Sequence, residues 1–547
     1  DTDNRENRPV DTPNTNYYHP VPGLSTSNFF RGGDTITNLT GVLHWSFAGG
    51  SSANAWRIRP VTPQYSYAFT PVNTRPAAPS VGGSLKVASF NVLNYFLTID
   101  TTTSSSSGAC GASATLDCRG ADNTTERDQQ QTKLTAALNG LNADIFGLIE
   151  LENTPNVDPL AEIVADLNAV AGAGTYATIN TGVVGTDAIK VGFIYKPAAM
   201  TPIGAPMIDN NAVHNRPPVA QLFEDANGGR FTIVVNHFKS KGCTDATGAD
   251  TDQLDGQGCF NAQRVSQANA LLSFVTTIVN QTGDSDVLII GDLNAYAQED
   301  PVTTLQNGGF TNLVAQFGGT AAYSYVFDGQ LGYLDHALAS ASLVAQVTGT
   351  TDWHINADEI PLFDYNDAVK DIGESTFEEE SDTLPLYVAN EFRTSDHDPV
   401  IVGLNLDSNL PGLTVIKTVV NDHGGAKVVA DFPLFVNGNP VASGATVMLS
   451  PGEYTVSETG DPGYTATFGG DCTATGQVTI SSGDNKTCTL TNDDIAPQLL
   501  VTVLVTNDSG GAATPASFTV TVNGVEANPA SFSGAANGTL VSLDAGS

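Results

Sequence analysis

The stretch Asp286–Pro301, D-V-L-I-I-G-D-L-N-A-Y-A-Q-E-D-P, decides how this chain is read. Val287–Ile290 form a short apolar run, the pattern of a strand buried on both faces. The run stops at Gly291, and Asp292 and Asn294 follow two positions apart. In extended geometry side chains at i and i+2 leave on the same side. Both groups are therefore expected together at the end of the strand. A carboxylate beside a carboxamide can accept a proton from water and hold an oxyanion. The same two residues also make an ordinary capped turn, so the rest of the chain has to decide between chemistry and capping.

At 547 residues the chain is long enough for about three domains. Hydrophobic residues make up 40%, enough for true cores, and the net charge is −36. That charge is unevenly placed: +1 over residues 1–84, −28 over 85–410 and −9 over 411–547. An acidic middle repels polyanions at long range, so an anionic substrate needs metal ions and a few local cations rather than a basic face. The six cysteines fall into close pairs, Cys110/Cys118, Cys243/Cys259 and Cys472/Cys488, none with zinc-site spacing. Nearest-neighbour disulfides are the economical pairing, and they point to an oxidising, secreted or cell-surface location. No apolar run reaches the roughly 18 residues of a membrane span. The chain carries no signal peptide, so a processed form of a secreted protein is expected.

Residues 1–70 alternate like strands of a partial, oligonucleotide-binding-like β-barrel, and 71–84 read as a Pro/Gly/Ser linker. From Leu85 to about residue 405, strands and helices alternate as in an α/β layered domain. Helices are expected from Thr125 and over Arg264–Val279. Residues 406–412 form a second linker. Beyond it Asn421-Asp-x-Gly-Gly-Ala recurs as Asn507-Asp-x-Gly-Gly-Ala, and Phe432-x-x-x-Val-Asn-Gly as Phe518-x-x-x-Val-Asn-Gly, both at an offset of 86. Two blocks in one register imply tandem all-β sandwich modules, 413–495 and a truncated 496–547, and a chain that continues past Ser547.

Six strand ends in the middle domain each present a chemically useful group: Asn91, Glu150, His237, Asp292 with Asn294, Asp335, and Asp396 with His397. Any one of them alone is an ordinary turn, surface or structural residue. The set is what matters. S-F-N at 89–91, L-I-E at 148–150, N-H-F-K-S at 236–240, G-D-L-N at 291–294, L-D-H at 334–336 and S-D-H-D-P at 395–399 together resemble the endonuclease/exonuclease/phosphatase superfamily, the deoxyribonuclease I-like fold. R-G-A-D-N at 119–123 and G-Q-G-C-F-N at 256–261 look more narrowly like large secreted bacterial nucleases with an N-terminal barrel.

The resemblance implies a two-sheet α/β sandwich flanked by helices, and a phosphoester hydrolase acting on DNA. Glu150, with Asn91 and Asp396, would be the metal set, oxygen donors suited to Mg²⁺ or Mn²⁺. Asp292 would activate water, Asn294 would hold a phosphate oxygen, and Asp335 would fix His397 opposite the second histidine, His237. Ile149 departs from the family, which places Gln before the metal-binding Glu, so Glu152 or Asn153 is expected to support Glu150 instead. Arg127, Lys239, Lys241 and Arg264 are the cations expected near a substrate backbone. The loop Asp245–Asp255 is a candidate for structural Ca²⁺, but it lacks EF-hand spacing and fits a solvated acidic loop better. Two other readings stay open: a phosphatase or phosphodiesterase for small phosphorylated molecules or phospholipids, and a surface or filament protein that assembles or attaches through its β-modules and carries the hydrolase as a passenger.

Overall fold

The computed structural model describes residues 25–47, 54–61, 67–366, 386–407 and 411–544, except 103, 105, 328, 450, 451, 482 and 525. Residues 1–407 and 408–547 form separate compact units.

In the first unit, β1 (Thr35–Thr37) pairs with β4 (Ala68–Thr70), and β2 (Gly41–Phe47) with β3 (Asn54–Pro60), each antiparallel. These are two separate ribbons; a closed barrel is not formed among the described residues, and the expected barrel residues 1–24, 48–53 and 62–66 lie outside them. The domain then runs β5 (Leu85–Tyr95), α1 (Thr124–Leu141), β6 (Ile145–Glu152), α2 (Pro159–Ala171), β7 (Ala177–Ile179), β8 (Ile189–Tyr195), β9 (Met200–Ile208), β10 (Val219–Asp225) and β11 (Arg230–His237). It continues with α3 (Asn261–Thr282), β12 (Val287–Asp292), α4 (Asp300–Asn307), β13 (Thr311–Asn312), α5 (Leu313–Gly318), β14 (Tyr325–Phe327), β15 (Gln330–Gly332), β16 (Asp335–Ala339), α6 (Ala341–Val344), β17 (Val347–Asp352) and β18 (Val400–Leu404).

Two six-stranded sheets result, β17-β18-β5-β6-β8-β7 and β13-β16-β12-β11-β10-β9. Their inner faces share one apolar core that includes Val87, Ile145, Val235, Leu288 and Ile290. Helices α1 and α2 cover the outer face of the first sheet through Leu134, Leu138 and Leu167, and α3 and α4 cover the second through Leu271, Ile278 and Val302. The sheets pack tightly at Gly147, where a Cβ would lie 2.6 Å from both Ile290 and Val235. The α/β sandwich expected for 85–405 is this four-layer arrangement.

Strand direction explains where the chemistry collects. Each sheet contains one parallel pair, β5 with β6 and β11 with β12, and its other pairings are antiparallel. Parallel neighbours finish at the same edge, so Asn91, Glu150, His237 and Asp292 emerge together. β16 and β18 run antiparallel to that edge, so they begin there, at Asp335 and just after Ser395–Pro399.

The geometry at Asp292 differs from the simple alternation expected. Gly291 has φ +133°, Asn294 has φ +47°, and the chain turns sharply where an extended strand was anticipated. A Cβ on Gly291 would sit 2.0 Å from the Asn236 carbonyl oxygen. Gly291→Ala is therefore expected to lower the melting temperature by several degrees and to abolish turnover, because relief requires parting β11 from β12. An unchanged melting curve would show that this approach is not needed.

The segment 71–84, expected to be a linker, lies against the central domain. Arg31 and Arg75 both bond the buried Glu359 at 2.7 Å, Trp353 Nε1 donates to Pro76 O at 3.1 Å, and the Arg75 guanidinium lies over Phe29 and Phe392. Proline-rich backbone has unpaired carbonyls to offer, and here the domain surface takes them. At the second linker Asp407 N donates to Gln346 Oε1, and 408–410 lie outside the described residues.

In the second unit, β19 (Gly412–Val420), β20 (Leu434–Val436), β21 (Asn439–Val441), β22 (Thr446–Met448), β23 (Gly452–Glu458), β24 (Tyr464–Gly470), β25 (Gln477–Ile480) and β26 (Asn485–Asp494) build the sheets β22-β19-β26-β24 and β21-β20-β23-β25. Leu413, Val415, Leu434, Val456, Ile480 and Leu490 fill the space between them, beside the Cys472–Cys488 disulfide. The second repeat contributes β27 (Gln498–Val501) paired with β30 (Thr539–Ser542), and β28 (Thr519–Thr521) paired with β29 (Ser531–Ser533). The repeated Asn-Asp-x-Gly-Gly-Ala has a structural purpose: Asn421 Nδ2 donates to Lys427 O, and Asn507 Nδ2 makes the equivalent bond to Ala513 O, at 3.0 and 2.8 Å. Cys110–Cys118 and Cys243–Cys259 also form, as the spacing suggested.

Candidate active site

Asp292 Oδ2 is the hub of the cleft edge. Asn294 Nδ2 and Asn91 Nδ2 donate to it at 3.3 and 3.4 Å, His237 Nε2 stands 3.5 Å away and His397 Nε2 4.0 Å away. The other carboxylate oxygen accepts the Asn294 backbone N–H at 2.8 Å. The left-handed backbone of Asn294 thus brings its side chain back beside Asp292, by a turn rather than by extended alternation.

Glu150 approaches from the opposite sheet. Its own φ is +70°, and register shifts interrupt both β5–β6 and β6–β8 at this point. Such bulges re-aim a side chain out of the ladder, and this one brings Glu150 Oε1 to 3.1 Å from Asn91 Nδ2 and 3.8 Å from His237 Nε2. Asn94 N caps Oε2 at 2.9 Å. Glu152 and Asn153 do not support Glu150. Glu152 accepts the N–H groups of Leu97 and Thr98, while Asn153 bonds the carbonyls of Val184 and Asp187.

His397 is held from behind. Its Nδ1 lies 2.7 Å from Asp335 Oδ2, which also accepts Ser324 Oγ at 2.7 Å, and Tyr325 packs on the ring at 4.5 Å. Ser395 Oγ accepts the His397 N–H and donates to Asn91 O, tying this loop to β5.

Electrostatics separate the two imidazoles. Burial opposes charge on His397, but Asp335, Asp396 and Asp292 outweigh it and raise its pKa well above the usual histidine value. Burial, then the positive Arg216 and His397, push His237 well below that value. One ring is thus cationic and the other neutral. Burial raises both carboxyls, Asp292 to about 7 and Glu150 upward with a further push from Asp396.

The donor set can hold a divalent cation. Glu150, His237 and Asp292 each place a ligand atom within 4.8 Å of the others, an N/O group suited to such an ion. Two of the three expected ligands sit differently. Asn91 turns its amide N–H groups to the carboxylates and its Oδ1 to Leu93 N, so it orients Glu150. Asp396 lies at the rim, 4.0 Å from His397 Nε2.

Among the expected substrate cations, Arg264 and Lys241 are occupied by the fold. Arg264 is fully buried and donates to the carbonyls of Lys239, Gln257 and Cys259, bracing the disulfide loop. Lys241 Nζ bonds Glu299 at 2.5 and 2.7 Å. Arg127 pairs with its neighbour Asp128, and Lys239 lies 4.4 Å over the Phe260 ring. The cation that sequence reasoning missed is Arg216. It is buried, donates to Phe238 O, and acts electrostatically on Glu150, Asp292 and His237. It lies in the loop before β10, outside every motif. In the loop Asp245–Asp255, Asp250, Asp252 and Asp255 accept nearby backbone N–H groups, and among the described residues they form no three-carboxylate cluster.

Residues 88–397 match the endonuclease/exonuclease/phosphatase family over more than half of the chain. The chain belongs to this family. It is a hydrolase of phosphoric esters, the activity that family membership carries. Residues 409–490 match a prealbumin-like fold domain. Similar solved structures include an endonuclease/exonuclease/phosphatase from Bacteroides vulgatus, at 13% identity and TM-score 0.35, covering 59% of this chain and 99% of that one. The human Nocturnin catalytic domain with bound sulfate matches at 11% identity and TM-score 0.34, over 59% and 94%. A mannosyl-6-phosphatase from Bacteroides thetaiotaomicron matches at 14% and 0.33, over 59% and 99%. No curated protein matches the chain.

Proposed function

We propose that this phosphoesterase is a divalent-cation-dependent nuclease that hydrolyses phosphodiester bonds of extracellular DNA. The observation that carries this reading is the meeting of the Asp292/Asn294 pair, Glu150 and the Asp335-held His397 at one edge of both sheets. Asp292 Oδ2 accepts a proton from the attacking water. As the water oxygen bonds phosphorus, the opposite P–O ester bond breaks in line, and the leaving oxygen departs with the bond pair and takes a proton from solvent. Asn294 Nδ2 and cationic His397 donate to the phosphoryl oxygens, where charge grows in the transition state. His237, neutral and on the other flank, contributes a hydrogen bond without adding charge. A cation held by Glu150, with His237 and Asp292 in reach, would supply Lewis-acid charge to the phosphoryl group.

Disulfides in all three expected pairs support an oxidising compartment. Arg119 and Arg216 act electrostatically on both His237 and Lys239, with Asp187 paired to Arg119 at 3.2 Å, a local concentration of cations inside an acidic domain. That patch supports an anionic substrate, and Arg127 would extend it along α1.

The −28 charge of residues 85–410 supports the second reading, a phosphatase or phosphodiesterase for small phosphorylated compounds or lipid head groups. Plasmid DNA, bis(p-nitrophenyl) phosphate and sphingomyelin offered side by side with Mg²⁺ separate the two. Plasmid cleavage is expected, with the small esters turned over at least about 10²-fold more slowly per kcat/KM. Preferential turnover of a small ester would reverse the assignment.

A further inference from the structure

After β17 the chain makes an irregular loop, 353–359, that grips two separate parts of the molecule. One side holds the segment that carries His397. Asn356, fully buried, donates from Nδ2 to His397 O at 2.6 Å, and its Oδ1 accepts the N–H groups of Thr394 and Ser395 at 2.8 and 3.1 Å. Asp398 bonds back to the loop: its Oδ1 accepts Asn356 N and Ala357 N at 2.7 and 3.1 Å, and its Oδ2 lies 2.9 Å from His354 Nδ1. His397 is therefore supported twice, at its ring by Asp335 and at its backbone by loop 353–359.

The other side of the loop is held by residues that precede β5. Arg31, 3% exposed, donates from Nε to Glu359 Oε1 at 2.7 Å, from Nη2 to His354 O at 2.6 Å and from Nη1 to Asn73 O at 3.1 Å. Gly32 N donates to Asp358 O at 2.8 Å, and Asn73 Nδ2 to Asp358 Oδ2 at 2.7 Å. Tyr323 ties the two sides together. Its hydroxyl donates to Asp358 Oδ2 at 2.8 Å and its ring stacks on His354 at 4.0 Å. The next residue, Ser324, donates to Asp335 and accepts the Asp398 N–H. A buried guanidinium is costly unless its charge and its N–H groups are answered. Here one sits outside every catalytic motif and is answered by the loop that carries Asn356.

We propose that Arg31 is a positioning residue for the hydrolase, fixing loop 353–359 so that Asn356 and Asp398 hold His397 at the reacting phosphate. The inference rests on the role given to His397 above. Lysine at this position keeps the charge but lacks the planar fork that reaches Glu359, His354 O and Asn73 O together. Buried Asp358 and Glu359 are then partly unanswered, the loop relaxes, and the imidazole moves with it. Misplacement of a reacting group by about 1 Å costs about 10²-fold in rate. The residues before β5 are thus a working part of the catalytic domain.

Steady-state kinetics of the full chain, on plasmid DNA and on bis(p-nitrophenyl) phosphate, test this. Arg31→Lys is expected to lower kcat about 10- to 100-fold on both substrates, with KM within about twofold of wild type. In a His397→Ala background the same substitution should cause no further loss, because no imidazole is left to position. A kcat within about twofold of wild type overturns the proposal. So does a raised KM for plasmid alone, which would make Arg31 a substrate-binding residue, and so does an equal loss in the His397→Ala background. Full activity of His397→Ala by itself would instead overturn the reading of the site on which this rests. Asp358→Asn, which weakens the same contacts while keeping their shape, carries the same expectations if circular dichroism shows Arg31→Lys unfolded.

Discussion

Replacing His397 with alanine is expected to lower kcat/KM on the preferred phosphodiester by about 10³-fold or more while leaving the fold intact. Two losses combine: a proton donor aimed at the reacting group, and a positive charge facing Asp292. The effect should be nearly matched by Asp335→Asn. That substitution preserves shape but removes the carboxylate that holds Nδ1 at 2.7 Å and keeps the ring cationic. In Asp335→Asn the His397 pKa falls, so residual activity should shift toward lower pH. His237→Ala should not reproduce that shift, because His237 is already neutral. Steady-state kinetics across pH 5 to 9, with circular dichroism to check folding, decides the matter. A loss under about tenfold for both His397 and Asp335 variants would remove this pair from the mechanism.

Removing the cation is expected to have an effect of similar size. Excess chelator should bring turnover to background, Mg²⁺ or Mn²⁺ should restore it, and Glu150→Gln should remain about 10²–10³-fold below wild type at saturating metal. The pH dependence follows from burial. Asp292 is raised to about 7 and Glu150 is raised as well, so in the folded, metal-free protein both hold protons more tightly than in the unfolded chain. A raised carboxyl pKa means that this part of the stability is present at low pH. It is lost as pH climbs from the unfolded value near 4 through the folded one. A cation competes with those protons and neutralises the carboxylates. The rise in melting temperature on adding Mg²⁺ should therefore be larger at pH 8 than at pH 5.5. An equal rise at both would mean that the ion binds elsewhere.

Much of this site was readable from motifs because strand ends in a layered α/β fold carry their chemistry in short runs. G-D-L-N, S-D-H and the L-I-E strand announced residues that the fold brings within a few ångströms of one another. Local backbone was not readable. The left-handed backbone at Glu150, within a bulge, and at Asn294, in the turn after β12, is encoded by no alternation pattern, yet it decides where both side chains point. Arg216 was invisible for a related reason: a lone arginine in a loop acquires meaning only when packing buries it near enough to Glu150 and Asp292 to act on them. Arg264 failed in the opposite direction. A basic residue at the start of a helix beside an expected cleft suggested substrate contact, but the chain folds over it and the carbonyls of Lys239, Gln257 and Cys259 take its terminal N–H groups. The Pro-rich 71–84 segment misled because composition reports on backbone stiffness and says nothing of whether a neighbouring surface accepts the chain.

In the prealbumin-like module β19 and β26 lie side by side and parallel over nine consecutive residue pairs, from Gly412↔Asn485 to Val420↔Asp493. The entering and departing strands are thus neighbours pointing the same way. A tensile load drawn through the chain would pull them past each other in shear, straining all the rungs at once. An antiparallel ribbon loaded at its open end instead unzips one rung at a time.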